Sequence, residues 1–92
     1  MPLSPMEILA SDFDASFILE QIAVQKKINR KAVTELLDRD PERASKATGK
    51  LSSLGLIAES GPASTEMQTL YITASGLSAW REMRRFRQHA LA

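Results

Sequence analysis

Between Asp40 and Gly55 the chain spells out both ends of a helix. Asp40-Pro41-Glu42 is a start: a carboxylate able to cap backbone amides, a proline at the first helical position, and an acid facing the positive end of the helix dipole. Gly55 is a stop, because glycine enters the left-handed conformation that ends helices. Within the bracket Ala44, Ala47, Thr48, Leu51 and Leu54 recur at steps of three and four, so one stripe turns inward. Directly after the stop the period changes. LIAES and MQTLYIT read as strands, with SGPAST as the loop between them. A chain that switches at one glycine from helical to strand period leaves few small architectures open.

The flanking segments narrow the choice further. From Asp12 onward Phe13, Phe17, Ile18 and Ile22 recur at helical spacing, with Asp12 and Asp14 suited to the start and Lys26 and Lys27 to the end. Asn29 can cap a second helix, in which Ala32, Val33, Leu36 and Leu37 form the apolar stripe before an end near Asp38. Thr73 caps a last helix reaching about His89. The expected order is helix, helix, helix, hairpin wing, helix: mainly α with a small β-hairpin. Residues 1–11, with two prolines, form an N-terminal arm, residues 12–73 the core, and residues 74–92 a C-terminal helix suited to dimerisation.

Ninety-two residues make one domain with a modest core, and there is no cysteine to supplement it with a disulfide or a Cys-based metal site. A second copy of the chain is the remaining inexpensive supplement. Leu77, Trp80, Met83 and Phe86 follow one another at steps of three, and each step turns about 300°, so Leu77 and Phe86 end on opposite sides of the helix. One small core cannot cover both. With Leu9 in the arm, these residues are the expected homodimer interface, against the plainer reading that the terminal Phe86 and Leu91 face solvent. No apolar run approaches bilayer length, and the acidic N-terminus lacks the features of a signal peptide, so a cytoplasmic protein is expected.

Net charge is only +1, yet charge is segregated. Four acids and no Lys or Arg precede Lys26, and eight basic residues lie from Lys26 to Lys50. Two helices joined by about three residues, the second capped and longer, make a helix-turn-helix. The segment after the second helix is more specific. KLSSLGLIAES, a polar loop and LYITASGLSAW resemble the MarR-type winged helix pattern over residues 28–80, with Leu51, Leu54, Gly55, Leu56, Ile57, Ile72, Thr73 and Gly76 as landmarks. Small MarR-like and PadR-like transcriptional regulators share this pattern. The resemblance implies a homodimeric regulator of a bacterium, phage or plasmid that binds double-stranded DNA.

In that frame the third helix enters the major groove with the side opposite its buried stripe. Arg43, Ser45, Lys46, Gly49, Lys50 and Ser53 form the expected reading face. Arg30 and Lys31 are placed where the second helix crosses the phosphate backbone. A solvated basic face is the plainer alternative. Gly49 costs roughly 1 kcal/mol in mid-helix; one reading is that DNA approaches closely there, and the plainer one is packing against another helix or simple drift. The wing departs from the pattern: from Ala58 to Leu70 it carries Glu59 and Glu66 and no base, which leaves a protein partner open for that surface. No residue set supports catalysis, a metal or a cofactor. The expected function is sequence-specific binding of double-stranded DNA; the rival is a winged helix that binds protein and does not read DNA.

Overall fold

The structure is a computed structural model that describes residues 12–61 and 67–91, with side chains as far as Arg85. Among the described residues four helices and three strands occur in the order α1 (Phe13–Gln25), β1 (Lys27–Asn29), α2 (Arg30–Leu36), α3 (Pro41–Ser53), β2 (Ile57–Ser60), β3 (Thr69–Ile72) and α4 (Ala74–Leu91). The expected fold class is the one observed, a winged helix. One element departs from expectation. Lys27–Asn29 pairs antiparallel with β3, so the hairpin is a three-stranded sheet in the order β1-β3-β2. Three residues give too little alternation to register as a strand, and by charge Lys27 reads as the end of the preceding helix.

The caps expected from the sequence are made. Asn29 Oδ1 accepts from the amide of Ala32 at 2.8 Å. Asp40 Oδ1 accepts from the amides of Glu42 and Arg43 at 3.0 and 3.2 Å. Thr73 Oγ1 accepts from the amide of Gly76 at 3.0 Å. Gly55 has φ +73, as its role at a helix end requires. Between α2 and α3 the chain turns sharply through Asp38 and Arg39, both with positive φ.

Ile18, Leu19 and Ile22 of α1, Val33 and Leu37 around α2, Leu51 of α3, Leu56 and Ile57 of the wing, Leu70 of β3 and Met83 of α4 form one core. α1 buries Ala15, Ile18, Leu19 and Ile22, so Ile18 and Ile22 of the stripe read from Phe13 lie in the core, whereas Phe13 and Phe17 do not. Phe13 is 72% exposed and stacks on the half-buried Phe17. Leu36, expected inward, is exposed at the end of the short α2. Where α4 meets the wing the backbones almost touch: a Cβ on Gly76 would lie 2.0 Å from the carbonyl oxygen of Leu56. Thr73 tightens the same junction, its hydroxyl donating to Gly55 O at 2.7 Å and its amide to Leu56 O at 3.1 Å.

Candidate nucleic-acid interface

α3 is an amphipathic helix whose geometry decides which side chains are available. Ala44, Ala47, Thr48 and Leu51 are buried, and the Thr48 hydroxyl satisfies itself on Ala44 O at 2.9 Å. The exposed side carries Glu42, Ser45, Lys46, Gly49, Ser52 and Ser53. Its centre is small: Ser45, Gly49 and Ser52 succeed one another at helical spacing. Lys46 is the one cation fully exposed on this side, 3.8 Å from Glu42 one turn earlier. Ser53 donates its hydroxyl to Lys50 O. Ser52 was not among the expected contacts, although its spacing from Ser45 and Gly49 carried the signal. A Cβ on Gly49 would meet nothing within 4 Å, so packing against another helix does not account for this glycine.

The other two cations of α3 lie on its flank and face α1. Arg43 was expected on the outward reading face. Instead its guanidinium donates to both carboxylate oxygens of Asp14, at 3.0 and 2.8 Å, and to Asp38 Oδ2 at 2.8 Å. Lys50, two turns on, pairs with Asp12. The hydrogen bond from Lys50 holds the Asp12 carboxyl below the usual carboxylate range, and the hydrogen bonds from Arg43 do the same for Asp14, in each case against a smaller opposing effect of burial. The same bonds raise Arg43 above its ordinary value. Pairs separated by 29 and 38 residues are invisible to a reading based on helical spacing.

Arg30 is also committed. Its Nε donates to Gln68 Oε1 at 2.9 Å and its Nη1 to the Thr48 hydroxyl at 3.4 Å, while Nη2 lies 3.9 Å from Glu59. Gln68, itself buried, donates on to Glu59 at 3.2 Å. This network ties the start of α2 to α3 and to both strands of the wing. It explains the acid in the wing: Glu59 accepts from an internal partner. Glu66, with the rest of residues 62–66, lies outside the described residues. Lys31 is exposed, as are Lys26, Lys27 and Arg39.

For the expected dimer surface, Met83 is 1% exposed and belongs to the core of the chain itself. Leu77 and Trp80 are half-buried. Trp80 Nε1 is buried without a hydrogen-bond partner among the described residues, and the Arg84 guanidinium lies 5.1 Å over its ring. Leu9 and the side chain of Phe86 lie outside the described residues. No helix among those described is long and apolar enough to cross a membrane.

No protein-family model and no curated protein matches the sequence. A solved structure of Lactococcus lactis ZitR, a mutant in apo form, is similar in fold, with a TM-score of 0.69 and 23% identity. The likeness covers 92% of this chain and 63% of that one, so the chain spans less than two thirds of the length of ZitR. At that identity the likeness establishes a shared winged helix fold.

Proposed function

We propose that the chain is a transcriptional regulator that binds double-stranded DNA as a homodimer, with the exposed side of α3 in the major groove. The observation that carries this reading is the shape of that side. A capped helix of 13 residues, held from behind by α1 and α2, presents Ser45, Gly49 and Ser52 at its centre and Lys46 beside them. Small side chains let the helix backbone come close to base edges, serine hydroxyls donate to or accept from any base, and Lys46 donates to guanine or phosphate. Lys31 and Arg39 near the ends of α2 supply the phosphate contacts that fix register. Arg30 orients the wing rather than touching DNA. Two half-sites related by the dimer axis are required by the symmetry, with Leu77 and Trp80 as the described part of the interface on α4.

One observation favours the rival, a protein-binding winged helix. Of the eight basic residues between Lys26 and Lys50, four (Arg30, Arg43, Lys46 and Lys50) are already paired with acids. The Lys46–Glu42 pair is solvent-exposed and leaves Lys46 available to DNA, so with Lys26, Lys27, Lys31 and Arg39 five cations can engage phosphate. Anisotropy of a labelled random duplex at several salt concentrations separates the readings. Engagement of all five by each protomer gives a slope of about −4.5 per protomer, hence about −9 for the dimer, or roughly a 100,000-fold loss between about 50 and 200 mM salt. Binding with a slope near this value supports the DNA reading. No binding at the lowest salt overturns it in favour of the protein-binding module.

A further inference from the structure

The flank of α3 that faces α1 carries two cations and three carboxylates. Arg43 lies between Asp14 and Asp38, and Lys50 against Asp12. All of this sits beside the proposed reading side of the helix. We infer that Asp12, Asp14 and Asp38 set the sequence selectivity of DNA binding, by holding Lys50 and Arg43 away from phosphate and so suppressing binding to random sequence. The inference rests on the DNA-binding reading above.

The geometry leaves each cation able to take a new partner once its aspartate is neutralised. The side chains of Arg43 and Lys50 are 38% and 39% exposed, so each charged head reaches solvent without unfolding of the helix. Ion pairs at such exposure contribute little to stability, and a phosphate is as good a partner as a carboxylate. Counting charges, the flank presents two positive and three negative groups. A phosphate approaching it meets a net repulsion in place of two cations. Contacts to phosphate raise affinity for all sequences alike, whereas contacts to bases discriminate. A recognition helix with Lys46 as its one outward cation therefore depends more on its base contacts, and the aspartates produce that balance.

Conservative substitutions test this. Asp12→Asn preserves the cap of α1, since asparagine caps as well as aspartate. Asp38→Asn suits a position with φ +59, where asparagine is readily accommodated. Asp12→Asn frees Lys50, and Asp14→Asn with Asp38→Asn frees Arg43. Each released cation that reaches phosphate steepens the salt slope by about 0.9 and raises affinity for random duplex roughly tenfold at about 50 mM salt. The ratio of specific to random affinity should fall in step. Glu82→Gln, which removes one negative charge from α4, should leave the slope unchanged. Melting curves establish that the variants are folded; if the double variant is not, Asp12→Asn alone still tests the Lys50 arm.

A steeper slope in the aspartate variants and not in Glu82→Gln supports the inference. Wild-type binding with an unaltered slope in every variant overturns it and leaves the DNA reading intact. An equal gain in Glu82→Gln also overturns it, because net charge alone then accounts for the effect. No binding by any of the proteins overturns the DNA reading and the inference together.

Discussion

Replacing Gly49 with alanine should strengthen the fold and weaken its proposed function. Gly49 is exposed in the middle of α3, and the added methyl would meet nothing within 4 Å. The change therefore has no steric cost and gains the difference in helix propensity, about 1 kcal/mol. For a domain of this size that is a rise of about 4–8 °C in melting temperature. On DNA the same methyl enters the closest point of the proposed contact, between Ser45 and Ser52. Overfilling a tight contact costs about 1–3 kcal/mol, so affinity should fall by roughly fivefold to 150-fold. Calorimetry gives the first quantity and anisotropy the second. A variant that is more stable and binds DNA like the wild type would refute the claim that this side of α3 lies against the groove. A less stable variant would contradict the open space around Gly49.

Gly76→Ala is the opposite case: its Cβ would stand 2.0 Å from Leu56 O, so α4 must move from the wing and stability should fall by about 1–3 kcal/mol, measured by denaturant unfolding; unchanged stability contradicts the close approach. Arg30→Ala strips Gln68, 3% exposed, of a hydrogen-bond partner and should cost about 1–3 kcal/mol, with faster amide exchange in β2 and β3; a fully stable variant with normal exchange would return Arg30 to the pool of phosphate contacts. In acid, the lowered Asp12 and Asp14 carboxyls contribute stability that is complete above the ordinary carboxylate range and lost as pH falls through their folded values. Melting temperature should therefore drop between about pH 5 and 2, and the drop should shrink in Asp12→Asn with Asp14→Asn, whereas an identical acid profile in that variant assigns the loss to other carboxylates.

How much is legible in the sequence depends on the range over which each interaction acts. Asn29, Asp40 and Thr73 are legible as caps because a cap bonds an amide two or three residues away. Gly55 is legible because its conformation is a local matter. β1 is not, because its identity as a strand comes from Leu70 and its neighbours, some 40 residues on. The candidate site divides along the same line. Helical spacing places Ser45, Lys46, Gly49 and Ser53 on the exposed side of α3, where they stand. It also assigns Arg43 and Lys50 there, but long flexible side chains at the edge of a helix turn to the nearest opposite charge. Those charges come from α1 and from the turn before α3. Phe13 misleads for a related reason: its spacing matches the core stripe, yet it precedes the first buried residue, Ala15, and projects past the edge of the core. Gly76 is a landmark in the sequence, and the contact with Leu56 that requires it is apparent only in three dimensions.

The central claim is that the exposed side of α3 touches DNA, and amide chemical shifts recorded while a short duplex is added test it most directly. The largest shifts should fall on Ser45, Lys46, Gly49, Ser52 and Ser53, with smaller ones at Lys31 and Arg39, and all should diminish as salt is raised. Shifts confined to the wing strands or to α4, with α3 silent, would contradict the account.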